Sequence, residues 1–263
     1  MGTRISPGFT IIETMLFLAV TGLLVIGVLI GTGAALNTQR YRDSVESFKG
    51  LLQDQYADLG SVRNSRDNNW SCDNAANPTQ GGSIIRGQSD CLIVGKYMRI
   101  DGRAITIYPV LARQTGSTSG LTDIAALDTR YAFHISTSER ENSPMEWGTQ
   151  IAWPKTGTGS RSPATPRSMG ILFVRSPESG SIYTFTSDNP PAENAITQTT
   201  FTNMIAAGST IPGQGSRTIC VLSSGLFPAG DMAIYLDAFA ATSSAVEVRS
   251  NDFTRASGGS TQC

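Results

Sequence analysis

Between Thr14 and Leu36 the chain carries no charged residue for 23 positions, and this run restricts the possible folds more than any other feature. About 20 apolar residues suffice to cross a bilayer as a helix. Yet Glu13 stands at its leading edge, in the stretch GFTIIETML at 8–16. A secretory signal would have a basic start, about 7–15 apolar residues and a small-residue cleavage site. This run is too long, no A-x-A site follows it, and the preceding MGTRISPG supplies one base, Arg4. A plain signal-anchor helix fits the length equally well. Charge counting gives no orientation, because Arg4 lies on one side and Arg40 and Arg42 on the other.

The helical pattern continues beyond the apolar run. Tyr41, Val45, Phe48, Leu52, Tyr56 and Leu59 recur at steps of three and four, with Arg42, Glu46, Lys49 and Asp54 off the stripe. No proline occurs between Pro7 and Pro78. One helix from Phe9 to about Val62 is therefore predicted, roughly 80 Å long at about 1.5 Å per residue. Its first half is apolar all round; its second half needs a surface to lie on.

The sequence G-F-T-I-I-E, followed by a bilayer-length helix that turns amphipathic, resembles the class III signal of type IV pilins and pseudopilins over about the first sixty residues. The resemblance implies cleavage by a membrane aspartyl peptidase, the prepilin peptidase, after Gly8, and N-methylation of Phe9. It places the family's fifth-position glutamate at Glu13. The chain departs from the family in having one leader base, in Pro7 directly before Gly8, and in lacking a mid-membrane proline. Gly22, Gly27, Gly31 and Gly33 stand in the helix instead. Gly27 and Gly31 have G-x-x-x-G spacing, which lets backbones approach closely. Each glycine also costs about 1 kcal/mol of helix propensity, making Gly22 and Gly27 the weak points. The alternative is that they are ordinary membrane-helix glycines with no role in assembly.

The resemblance also gives Glu13 a purpose. A carboxylate in a membrane helix costs about 2.5–3.5 kcal/mol, so it calls for a partner. Cleavage would create an amine on Phe9, and the family reading pairs it with Glu13 of a neighbouring subunit. The bland alternative is a shallow Glu13 facing the headgroups.

The four cysteines, Cys72, Cys91, Cys220 and Cys263, form no C-x-x-C, and His134 is the sole histidine. Two disulfides in an oxidising compartment suit this better than a zinc site. Three connectivities exist. The pairing Cys72–Cys91 with Cys220–Cys263 closes two short neighbouring loops and resembles the C-terminal staple of many pilins.

Residues Asn64–Asn77 read as a polar linker. Beyond them Asp101-Gly102 sits between two β-rich runs, a type I′ hairpin signal. CLIVG, RYAFHIS, GTQIAW, GILFVR, SIYTFTS, RTICVLSS, MAIYLD and AVEVRS read as further short strands of an antiparallel sheet. The stretches 155–168 and 187–194 read as exposed loops. The expected class is α+β, a long N-terminal helix packed on a C-terminal antiparallel β-rich globular domain. The expected division is a leader at 1–8, the apolar helix half at 9–36, the amphipathic half at 37–66 and the globular domain at 67–263. The segment from Thr218 to Ser250 resembles the β-rich domain of H-type pseudopilins and FimT-like minor pilins. DNA-binding members have an arginine-rich tail; this one has only Arg249 and Arg255, which gives DNA little support as a partner.

Catalytic patterns are missing. A Ser-His-Asp triad would have to use His134, inside YAFHI, where a strand histidine is the simpler reading. Gly157–Ser160 has no helix after it to cradle phosphate, and Asp54 and Asp58 lie on the solvated helix face. Lys+Arg 20 against Asp+Glu 21 creates no global field. The reading is a non-enzymatic pilin-like subunit without metal or cofactor. Its implied partners are other subunits, the prepilin peptidase, the membrane and the pilus assembly platform. It would be stored in the inner membrane, then polymerised into an extracellular filament for adhesion, twitching motility or DNA uptake. The alternatives are a type II secretion pseudopilin and a single-pass anchored β-domain acting as a surface receptor or enzyme.

Overall fold

The computed structural model describes residues 10–61, 70–80, 89, 91–153, 155–156, 166–188, 190–210, 217–223, 232–236, 241–250 and 261–263. Gly8, Phe9, residues 64–69, the stretch 157–165 and Arg255 lie outside them.

The expected helix forms as one unbroken element, α1, Ile11–Gly60. Thr10 caps it: its hydroxyl accepts a hydrogen bond from the Glu13 N–H at 3.3 Å. At the far end Arg175 donates to the Leu59 carbonyl at 3.4 Å. This brings a cation to the negative pole of a helix whose own last turn contains no base.

The α+β class expected from the sequence holds. The strands form two principal sheets where the sequence suggested one. β3 (Cys91–Asp101), β4 (Ala104–Gln114), β5 (Tyr131–Ile135), β9 (Ser168–Arg175) and β10 (Ile182–Asp188) build the larger, in the order β10-β9-β3-β4-β5, with β6 (Glu141–Asn142) beside β4. β7 (Gln150–Ala152), β11 (Arg217–Leu222), β12 (Met232–Leu236) and β13 (Val246–Ser250) build the second, in the order β13-β12-β11-β7. All pairings are antiparallel. CLIVG and YMRI, read as separate runs, are one 11-residue strand bent by a bulge between Ile93 and Gly95. A Cβ on Gly95 would meet the Phe173 carbonyl oxygen at 2.2 Å, so only glycine lets β3 approach β9 there.

The larger sheet is buried on both faces. Met98, Ile100, Ile105, Ile107, Ile171 and Phe173 point towards α1 and join Tyr41, Val45, Phe48, Leu52 and Tyr56 in one core. Tyr97, Tyr108, Val110, Leu172 and Phe185 point the other way, onto α2 (Asp123–Arg130) and α3 (Gln198–Thr210). The period of two along each strand divides its side chains between these two cores. Phe201 meets Tyr97 edge-on at 5.6 Å. The Gln198 side chain donates to the Tyr131 carbonyl at 3.0 Å and accepts from the Phe133 N–H, satisfying the outer edge of β5.

Three local readings need correction. The β3–β4 turn is Gly102-Arg103, since Asp101 pairs with Ala104. Positive φ occurs at Gly102, +59°, and not at Arg103, as a type II′ turn requires. The tip docks between β7 of the second sheet and the lead-in to β9: the Gly102 carbonyl accepts from the Ile151 N–H and its N–H donates to the Arg167 carbonyl, and that contact selects the turn. Secondly, residues 70–77 of the stretch read as a linker belong to a hairpin of β1 (Trp70–Cys72) and β2 (Pro78–Gln80). The Asp73 carboxylate accepts from the Ala75 and Asn77 N–H groups and from the Asn77 amide, tying the turn from within. Those bonds, the Asn77 side chain's foremost, push the Asp73 pKa down. Thirdly, α2 and α3 were not read from the sequence.

Cys72 joins Cys91 and Cys220 joins Cys263, each pair with a Cα–Cα distance of 5.3 Å. The first bond staples the β1–β2 hairpin to the start of β3. The second fixes the last residue under β11, beside β14 (Thr261–Gln262), which pairs with β8 (Lys155–Thr156). With separations of 19 and 43 residues, the chain-entropy model assigns them about 3 and about 4 kcal/mol.

Candidate functional site

The site most open to partners is the first half of α1. Fifteen large apolar side chains from Ile11 to Leu36 are at least 50% exposed, whereas elsewhere among the described residues only Trp147 is, with Leu92 and Leu121 near 40%. Such a surface far exceeds the roughly 300–600 Å² patches of soluble monomers. The helix is long and apolar enough to cross a membrane. Its threonines suit that setting. Thr14, Thr21, Thr32 and Thr38 return their hydroxyls to carbonyls three or four residues earlier, for example Thr21 to Phe17 at 2.8 Å and Thr32 to Val28 at 2.9 Å. No hydroxyl is then left unsatisfied in a medium without water.

Glu13 lies in the first turn, where the helix dipole favours a negative charge. Thr10 and Glu13 have the T-x-x-E spacing of a capping box, a signal the sequence reading did not use. The box is half made. Thr10 accepts from the Glu13 N–H, but no described residue hydrogen-bonds or ion-pairs with the Glu13 carboxylate. The cap itself makes no use of the carboxylate.

Gly22, Gly27 and Gly31 all lie within regular helix, and a Cβ at any of them would meet nothing within 4 Å. No contact inside the monomer requires a glycine there. Gly27 and Gly31 share a face, and Gly22 lies roughly 140° round the helix from Gly27.

The remaining candidates do not converge. His134 pairs with Leu111 on β5, half-buried; burial pushes its pKa down and nearby Asp73 pulls the other way. Among the described residues no three His, Cys, Asp or Glu side chains are grouped to hold a metal. The wider cleft, about 270 Å³ between the start of β3 and the β9–β10 turn, is lined by Leu92, Ile93, Val94, Arg175, Ser176, Pro177 and Gly180. It brings no acid, base and nucleophile together. Asp58 pairs with Lys96 at the end of α1.

Comparison of the chain with models of protein families, with characterised proteins and with solved structures finds no match.

Proposed function

We propose that this chain is a structural subunit of a type IV pilus-like filament, kept in the membrane by the first half of α1 until it is polymerised. The observation that carries the reading is the division of α1. From Tyr41 to Leu59 the helix supplies eight buried residues to the globular domain, and from Ile11 to Ile30 it is covered by nothing among the described residues. An anchor serving only to tether a domain would need neither this rigid continuity nor a charge at its tip. A helix that must leave the bilayer and pack beside copies of itself needs both. The G-F-T-I-I-E motif, a Glu13 carboxylate with no partner among the described residues and the open Gly27–Gly31 face support the same reading.

In this reading the prepilin peptidase cuts between Gly8 and Phe9, and Phe9 is methylated. Glu13 then pairs with the new amine of a neighbouring subunit as each chain joins the filament at the assembly platform. Inner membrane first and extracellular filament second is the corresponding itinerary.

The test is the mature N-terminus. Protein from cells that carry the peptidase should begin at Phe9, and Gly8→Val should remain full length, membrane-embedded and unassembled. A chain that keeps Met1 beside an active peptidase is a single-pass anchored β-domain, and the pilin reading fails.

A further inference from the structure

We infer that Trp147 and Arg40 form a membrane-contacting foot, by which the globular domain rests on the headgroup layer of an anionic bilayer before assembly. The inference rests on α1 being embedded in that bilayer. Trp147 has φ +52°, one of two non-glycine residues with positive φ among those described. For a bulky side chain this is a strained conformation, and strain persists where a function holds it. Burial is not what holds it, because the residue is 59% exposed.

Its position explains the exposure. The turn Glu146–Gly148 is fixed to the start of the buried half of α1: Ser44 bonds the Glu146 carbonyl at 3.3 Å and the Thr149 hydroxyl at 2.6 Å. This sets the indole beside Arg40, whose guanidinium carbon lies 5.1 Å from the ring centre. Arg40 is four residues beyond Leu36, the last large exposed apolar side chain of the helix, or about 6 Å along the axis. The headgroup layer on each side of a bilayer is roughly 5–7 Å thick, so the pair falls within it. Helical side chains lean towards the N-terminus, here towards the apolar half. Arg40 and Arg42 are also the first charges after Glu13, and both precede Asp43. An indole with an apolar body and one N–H donor, beside a cation, suits an anionic phospholipid surface.

The full chain is reconstituted into vesicles of phosphatidylcholine and phosphatidylglycerol carrying a headgroup-attached nitroxide. The fluorescence difference between the native chain and Trp147→Phe isolates the Trp147 signal. That signal should be quenched, and the quenching should fall at least about twofold in phosphatidylcholine alone or with Arg40→Gln. A second chain, with Leu24→Trp added to Trp147→Phe, reports on the span through an acyl-chain nitroxide. If Leu24→Trp is quenched and Trp147 is not, the helix is embedded and the foot is overturned alone. If neither is quenched, the embedded helix fails and the foot with it. Shielding of Trp147 from acrylamide that grows with protein concentration, without nitroxide quenching, would assign the ring to a second copy and overturn the inference. Trp147→Gly should melt no lower than the native domain, since glycine adopts positive φ freely. A clear drop would make the ring a packing element and overturn the membrane role.

Discussion

The two halves of α1 share one backbone geometry and have opposite surroundings. From Tyr41 to Leu59 every third or fourth side chain is sealed beneath two sheets, and the tyrosine and serine hydroxyls there bond the strands and loops around them. The Tyr41 hydroxyl donates to Val221 and accepts from Met232, bridging the end of the β11–β12 ladder, and Tyr56 bonds Thr184. From Ile11 to Leu36 the side-chain hydrogen bonds among the described residues stay within the helix and its cap, as threonine hydroxyls returned to carbonyls and the Thr10 cap on Glu13. One half is thus defined by its own chain and the other by an environment outside it. Substitutions between Tyr41 and Leu59 should change folding, and those between Ile11 and Leu36 should leave it unchanged and, if the filament reading holds, change assembly.

The sharpest way to break this contrast is Glu13. If its carboxylate pairs with an amine on a neighbouring subunit, Glu13→Ala leaves that amine alone in a low dielectric, a loss of about 3–5 kcal/mol per contact. Processed, folded, membrane-resident protein with few or no filaments is the expected outcome, with Glu13→Gln nearly as defective. The melting temperature of the globular domain should not move. Wild-type filament numbers by electron microscopy would make Glu13 a tolerated surface charge.

The next test pairs one leucine from each half. Leu52 is fully buried among the strands, and its replacement by alanine should cost about 2–5 kcal/mol in chemical denaturation of the domain. Leu24 is 64% exposed, and Leu24→Ala should leave that midpoint unchanged within about 0.5 kcal/mol. Equal effects would mean that the halves are not independent.

A smaller effect separates the halves by pH. Burial pushes the Tyr56 hydroxyl up to about 12, with Thr184 opposing, while an unfolded tyrosine ionises near 10. The raised folded-state value means that its contribution is complete below about pH 10. It is lost as pH rises towards about 12, to the extent of about 2–3 kcal/mol. Tyr97, also pushed up to about 12 by burial, adds a similar loss from the opposite core. Tyr56→Phe should flatten its share of the slope in denaturation series between pH 9 and pH 12. An unchanged slope would show that the Tyr56 ring is not sealed under the sheet.

The sequence by itself determined the helix. A 23-residue charge-free run followed by a stripe at steps of three and four requires one long element with two kinds of surface. Tyr41, Val45, Phe48 and Leu52 are buried because periodicity along one helix is local information. The β-rich runs were legible for the same reason, as alternation and turn residues act over a few positions. The pattern around Glu13 was legible too, but only as a motif; its half-made cap needed atomic positions.

Tertiary structure alone decided the rest. The unbroken apolar run in GILFVR is the local mark of a strand covered on both faces, but nothing local says that α2 and α3 arrive from elsewhere to cover the second one. α3 was hidden by its threonines, which lower helix propensity, although Phe201, Met204 and Ile205 show the helical spacing. The turn moved from Asp101-Gly102 to Gly102-Arg103 because docking on Ile151 and Arg167 outweighs the intrinsic preference of Asp-Gly. The exposed, strained Trp147 beside Arg40 joins residues 107 positions apart. Spacing in the chain fixes which residues share a helix face, but only the packed fold fixes which distant residues share a place.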